Sequence, residues 1–336
     1  MDRYFVVMKL RKRSKCVLAA GLLFLLTATV GKCQVLRTDF YSSTCPTLNT
    51  IVATTIASHL SKDITSGAPL LRMFFHDCFV QGCDGSVLID STANNTAEKN
   101  AEPNQTLRQF NIIDEIKAQL EKACPRVVSC ADIIALAARE AVVQSGGPSW
   151  NVELGRRDGR ISRASDALTL LPPTRSDSQS LIDDFETIGL SVQDLVTLSG
   201  AHTIGRAHCF ATVRRYIGFN STNGIDPTLN LTYALQLRRL CPLPINMQAR
   251  VALDPVTPNL FDTQYYRDLL VNKGIFTSDS TLASDERSLV FVREYAANQS
   301  SFFEQFPLAM IRLGQVGVKT GASGEIRKKC RVVNKL

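Results

Sequence analysis

The chain has 336 residues, 45% of them hydrophobic and 21% charged, with 19 Gly and 13 Pro. That composition excludes intrinsic disorder, collagen-like repeats and coiled coils, and the length allows one large domain or two sharing a core. The formal charge of +7 is carried almost wholly by the first residues, so it does not point to a nucleic-acid surface.

Arg3, Lys9, Arg11, Lys12, Arg13 and Lys15 precede an uncharged run from Cys16 to Val30. That run is short for a membrane span, which takes about 20 apolar residues, and suits a secretory h-region. Gly31 and Cys33 are small enough for a signal-peptidase site, which places the mature start at Gln34 and makes 1–33 a removable signal peptide; an uncleaved anchor is the alternative. Its removal takes seven of 38 basic and one of 31 acidic residues, leaving a balance near +1. Eight cysteines remain, an even set that suggests disulfides in an exported chain, with connectivity left open by counting alone. Five N-x-S/T sequons begin at Asn94, Asn104, Asn220, Asn230 and Asn298.

Helical periodicity dominates the rest of the chain. Leu48, Ile51, Val52, Thr55, Ile56 and Leu60 form one apolar stripe, and Ile112, Ile113, Ile116 and Leu120 another. Ser129 with Asp132 reads as a capping box opening a helix through Val142, halted by Gly146-Gly147-Pro148; Ser191 with Asp194 reads as a second. Segments 261–270 and 301–311 also predict helix, and strand signals are few and short. Pro172-Pro173 marks the best internal boundary, giving a mainly α chain in two helical halves, 34–171 and 172–336.

Three stretches carry chemistry. In Arg72-Met73-Phe74-Phe75-His76-Asp77-Cys78-Phe79, Arg72 and His76 lie four residues apart and share a helical face, although an ordinary Arg beside a core His has the same pattern. Asp77, Gly82, Asp84 and Ser86, with the Val80 carbonyl, offer hard oxygen donors suited to Ca²⁺, and an acidic solvated turn is the plainer alternative. Cys78 and Cys83 could close that loop. His202, in Leu198-Ser199-Gly200-Ala201-His202-Thr203, sits where a helix-terminal His would meet the dipole. No HExxH, GxSxG, GxGxxG or P-loop motif occurs, which leaves zinc, serine-hydrolase and nucleotide chemistry without a motif.

Together these stretches resemble the secreted plant haem peroxidases (class III) from about Gln34 to Asn334. Further anchors are Gly82-Cys83-Asp84-Gly85-Ser86, Leu154-Gly155-Arg156-Arg157-Asp158, Phe261-Asp262 with Tyr265-Tyr266, and Ser278-Asp279. The resemblance implies two helical domains sandwiching one haem b, with the 34–171 segment distal and the 172–336 segment proximal. His202 would ligate the iron, and Asp279 would accept its other ring N–H, lending it imidazolate character. His76 would shuttle the proton of H₂O₂, Arg72 would stabilise charge as the O–O bond breaks, and Asn104 would hold His76 in its accepting tautomer.

The family pattern also implies two Ca²⁺ ions. The distal one would take Asp77, Val80, Gly82, Asp84 and Ser86; the proximal one Thr203, Asp254, Thr257, Leu260 and Asp262. It pairs Cys45 with Cys124, Cys78 with Cys83, Cys130 with Cys330 and Cys209 with Cys241, and puts Pro172 at the donor-binding edge. The expected protein is a monomeric, extracellular or cell-wall glycoprotein. It would oxidise small phenols in lignin and stress chemistry, with no nucleic-acid partner and no stable membrane association after cleavage. The six residues after Cys330 lack the longer tail some relatives use for vacuolar sorting.

Departures are Pro69 where relatives often carry Ser, Gln109 in place of a usual Gly, and Pro172-Pro173-Thr174-Arg175 where Pro-x-Pro-Phe is commoner. The last puts donor preference in doubt. Two other readings are a silent wall-binding protein on the same scaffold, which would lack a pocket residue, and a Ca²⁺-binding structural protein without haem. His202 paired with Asp279 counts against the second.

Overall fold

The apolar stripes of the sequence become the inner faces of packed helices. In the computed structural model, which describes residues 35–219 and 224–335, the elements run α1 (Leu48–Leu60), α2 (Gly67–Val80), α3 (Phe110–Ala123), α4 (Cys130–Gln144), α5 (Ala164–Leu170), α6 (Ser178–Thr187) and α7 (Val192–Ser199). A short strand β1 (Arg206–His208) and turn α8 (Cys209–Thr212) come next, then α9 (Leu231–Leu240) and β2 (Arg250–Ala252). The chain closes with α10 (Gln264–Leu270), α11 (Thr277–Leu282), α12 (Glu286–Ala297) and α13 (Gln299–Leu313). The fold is mainly α, as the sequence predicts. β1 and β2 pair antiparallel, with Arg206 opposite Ala252 and His208 opposite Arg250. The signal-peptide reading and the Asn220 sequon lie outside the described residues, among which no helix is long and apolar enough to cross a membrane.

Helix α4 is the hub. Its Ala-rich sequence is buried on nearly every face, and small side chains let α1, α2 and α3 approach it closely. Of its expected capping box only half forms: Ser129 Oγ accepts from the Asp132 N–H. The Asp132 carboxylate is spent elsewhere, accepting from the Tyr41 hydroxyl, the Gly155 N–H and the Arg156 guanidinium. The second box, Ser191 with Asp194, forms in both directions, and Asp194 also binds Arg312. Segment 261–270 is helical only from Gln264. Asp262 Oδ1 accepts from the Gln264 N–H, and the Phe261 N–H is held by the Ser145 carbonyl, so 261–263 stay off the helix.

The main apolar core runs through both halves, from Leu70, Met73 and Phe74 to Phe185, Leu195 and Phe302. A smaller one, built on Tyr216, Tyr233 and Leu237, supports the β-ribbon and α9. The disulfides formed are Cys45–Cys124, Cys78–Cys83, Cys130–Cys330 and Cys209–Cys241. Gln109 adopts a left-handed conformation with φ of 71°, a region glycine enters without strain. Its side-chain amide donates to Ser66 Oγ at 2.7 Å, a bond glycine could not make.

Candidate active site

A cavity of about 940 Å³ opens between α2 and the turn that follows α7. α2 presents Arg72, Phe75 and His76 to it, the turn presents His202, and Leu71, Phe185, Leu195, Leu198 and Leu313 supply much of the apolar wall. Arg72, His76 and His202 face the cavity beside this apolar stretch, while Glu102, Asp279 and several arginines line other parts of it.

On the α2 side, His76 Nδ1 lies 2.5 Å from Asn104 Oδ1, whose own Nδ2 donates to the Glu98 carbonyl at 2.8 Å. The amide is thereby fixed with its oxygen toward the ring, so Nδ1 carries the proton and Nε2 keeps its lone pair for the cavity. Burial, reinforced by the Arg72 charge, holds the His76 pKa well below its usual value, the Asn104 bond opposing. His76 is therefore neutral and able to accept a proton. Arg72 donates to the Pro103 carbonyl at 2.8 Å and to Thr106 Oγ1 at 3.0 Å. Both partners are neutral, so its charge is uncompensated, and burial lowers its pKa to about 10. Asn104 is 1% exposed, which removes its sequon from the glycosylation candidates. Asn230 and Asn298 cap α9 and α13 through Oδ1.

Opposite, His202 Nδ1 lies 2.8 Å from Asp279 Oδ1. The same carboxylate accepts from the Tyr265 hydroxyl at 2.9 Å and the Phe276 N–H at 3.0 Å. Burial pushes the Asp279 carboxyl up, but the interaction with His202 and these hydrogen bonds outweigh it and hold the pKa below the usual value. Tyr265 stands in a recognisable motif, but its role does not show in the sequence: the link to Asp279 spans 14 positions and only the fold displays it. Thr106 and Pro103, the partners of Arg72, carry no sequence signal for the same reason.

The donor set fits an iron porphyrin. His202 is 36% exposed at its side chain, Nδ1 is engaged by Asp279, and Nε2 has no hydrogen-bond partner among the described residues. A ring nitrogen with its proton fixed on the far side, facing an apolar cavity of this size, is suited to an axial ligand.

The oxygen-rich segments also gather. Asp77 and Asp84 are both buried, and burial together with Asp84 raises the Asp77 pKa to about 8. Beside them Glu98 is pushed up to about 9 by burial and Asp77. Among the described residues, Ser86 Oγ and both Glu98 carboxylate oxygens are buried with no hydrogen bond of good geometry, though Ser86 lies near enough to Glu98 to lower its pKa against the burial; oxygens left this way suit a cation. Asp77 is braced by the Gly85 and Val87 N–H groups, Asp84 by the Ser86 N–H and by the Lys319 ammonium at 2.5 Å. Gly82 packs so tightly on Gly317 that a Cβ would come within 2.6 Å of its backbone, and Val80 closes α2 beside it.

Near His202, Thr203 Oγ1 lies 3.1 Å from Asp262 Oδ1 and 3.4 Å from Asp254 Oδ2, and Thr257 Oγ1 donates to Asp254 Oδ2 at 2.9 Å. Leu260, half exposed at its side chain, has only its carbonyl to offer. No group of three or more His, Cys, Asp or Glu side chains poised for a metal occurs among the described residues. Either site would therefore depend on hydroxyl and carbonyl oxygens, which Ca²⁺ accepts readily. Pro172 lines the cavity mouth with Pro173, Thr174 and Arg175.

Comparison with known proteins agrees in direction. The peroxidase family model matches residues 52–298. The chain is 45% identical over 324 residues to Peroxidase 3 of Arabidopsis thaliana, covering 95% of this chain and 99% of that protein. Against Peroxidase 5 of Vitis vinifera it is 47% identical over 301 residues, covering 89% and 92%. Against Peroxidase 15 of Ipomoea batatas it is 45% identical over 303 residues, covering 89% and 93%.

Proposed function

Because this chain belongs to the class III plant haem peroxidases, a peroxide-consuming enzyme family, we propose that Arg72, His76, Asn104, His202 and Asp279 carry its reaction with H₂O₂. The observation that carries the reading is the pair of imidazoles facing one apolar cavity, each with Nδ1 engaged from behind, by Asn104 on one side and Asp279 on the other. Haem, when bound, supplies the redox-active iron at which peroxide is reduced and through which donors are oxidised one electron at a time.

The protein's own contribution is acid–base and electrostatic. Neutral His76 takes the proton of H₂O₂ on Nε2 and gives it back to the departing oxygen, a role worth about 10²–10⁴ in rate. Arg72 has its charge unpaired within an apolar wall, so it stabilises negative charge developing on the peroxide more than it would in water. Asn104 keeps the His76 lone pair directed inward. Asp279, with Tyr265 and Phe276 bracing it, fixes the tautomer and the electron richness of His202.

We assign two Ca²⁺ ions to the distal and proximal oxygen clusters. The unsatisfied oxygens of Ser86 and Glu98 and the costly pairing of buried Asp77 with Asp84 support the first; the convergence of Thr203, Thr257, Asp254 and Asp262 supports the second. Division at 171 and 172 then separates an acid–base half from an iron-binding half. Residence in the cell wall as a monomer, with phenolic donors reaching the cavity past Pro172, completes the proposal.

The test is the visible spectrum of the haem-reconstituted protein before and after one equivalent of H₂O₂. The proposal expects a Soret band that drops and shifts within milliseconds and recovers on adding a phenol. His76→Ala should keep the band while slowing its response by orders of magnitude. A band indifferent to peroxide in the native protein, or an unslowed response in His76→Ala, overturns the assignment.

A further inference from the structure

The mouth of the cavity is basic, and the mature chain as a whole is not. Arg108, Arg175, Arg206, Arg214 and Arg250 all line it, whereas its lining holds two acids, Glu102 and Asp279. Asp279 is already committed to His202 and Tyr265. None of the five arginines forms a salt bridge among the described residues: Arg206 donates to the neutral Asn259 amide and Arg108 to the Thr65 carbonyl.

The β-ribbon concentrates this charge. Arg206 and His208 alternate onto one face of β1, and the register sets Arg250 of β2 directly opposite His208. Partial burial lowers the Arg108 pKa first, Arg250 and Arg206 push it further down, and Asp63 works the other way. Arg250 and Arg206 therefore both act on Arg108. The two carboxylates of a bound haem and Glu102 would together offset three of the five charges, leaving the mouth net positive. Apolar rings stand in the same wall: Phe210, 36% exposed, and Phe219, 48% exposed. Arg175 lies three residues after Pro172 and lines the cavity with it.

We propose that this mouth is a binding site for aromatic carboxylates, and that the preferred donors are phenols bearing a carboxylate rather than neutral or cationic phenols. The inference rests on the peroxidase reading for its consequence, but the binding itself does not. Exposed aromatic faces take the ring, and arginines take the carboxylate by charge and by paired N–H donors. Long-range attraction also raises the encounter rate of anions at low salt.

Binding is measured by calorimetry on the haem-loaded protein with three non-oxidisable probes of one size: benzoate, benzamide and benzylammonium. Turnover is measured with 4-hydroxyphenylpropanoate, its methyl ester and tyramine. Two uncompensated charges roughly 10 Å from the ligand's charge predict about a tenfold preference for anion over cation at low ionic strength. The preference should collapse near 1 M salt, where the screening length is about 3 Å. Arg175→Glu, at an exposed side chain with no hydrogen bond among the described residues, should cut the benzoate preference severalfold and raise KM for the carboxylate donor more than for its methyl ester.

Equal affinity for the three probes, or a preference that survives high salt and Arg175→Glu, overturns the inference. A protein that selects benzoate but does not turn over any donor retains the site and refutes the peroxidase assignment instead.

Discussion

Tyr265 offers the sharpest test of how the buried carboxylate acts. Its hydroxyl donates to Asp279 Oδ1, the same oxygen that holds His202 Nδ1, at 2.9 and 2.8 Å respectively. Tyr265→Phe removes one of three donors to that carboxylate without leaving a cavity. A hydrogen bond to a charged group contributes about 1.5–3 kcal/mol. If roughly a third of that is returned as stronger pull on the His202 proton, the ligand gains about 0.5–1 kcal/mol of preference for the ferric iron. At 59 mV per tenfold for a one-electron couple, the reduction potential should fall by about 20–40 mV. Asp279→Asn removes the charge and should shift it upward and further. The assay is a spectroelectrochemical titration of the reconstituted variants, with haem content and ferric spectrum as controls. A Tyr265→Phe potential that is unchanged or higher, in a protein that binds haem normally, would refute the reasoning.

Asn104→Val deletes the acceptor that fixes the His76 tautomer; stopped-flow rates with H₂O₂ should fall about 10–10²-fold while donor oxidation keeps its KM. The depressed His76 pKa predicts a peroxide rate flat through neutrality and down to mild acid, falling only when His76 protonates well below pH 6.5. By linkage, a histidine buried neutral has its full stability above its unfolded pKa, and stability is lost as pH falls from there toward the folded pKa, to be checked by thermal melts across that window. At Gln109, whose φ is 71°, Gln109→Ala keeps the strain and loses the bond to Ser66, costing about 1 kcal/mol. Gln109→Gly trades that bond for relief of strain and should lie close to the native protein in urea denaturation.

What the sequence displays is what is local. The stripe from Leu48 to Leu60 becomes α1 with Val52, Ile56 and Leu60 buried, and Arg72 and His76 share a helical face because four residues make about one turn. The Ser191 box is legible for the same reason. Where a side chain is recruited by a distant partner, local pattern fails. Asp132 leaves its own helix start to bind Tyr41, 91 residues away, and Asp262 and Ser145 pull 261–263 out of the helix that apolar spacing suggests. At the site, both histidines stand in recognisable motifs, but the Tyr265 link, the neutral partners of Arg72 and the arginine-lined mouth join positions far apart in the chain. Arg108 and Arg250 are unremarkable in sequence, Arg175 shows there only as a departure from a motif, and the three become a group only through folding.

The Cys130–Cys330 bridge has a consequence for biosynthesis. Its partners are 200 residues apart, so at about 5–20 residues per second Cys130 waits roughly 10–40 s for its mate to emerge. Cys45, Cys78, Cys83 and Cys124 are already present in that interval. Cys78 and Cys83, five residues apart, are close enough to capture each other early, and Cys45–Cys124 can close while the 34–171 segment is still tethered to the ribosome. Cys130 is left as the odd thiol of that segment, exposed to mispairing until the last stretch arrives. Maturation should therefore depend on disulfide isomerase more than on oxidant, and thiol-trapped nascent chains should accumulate with one free cysteine at position 130.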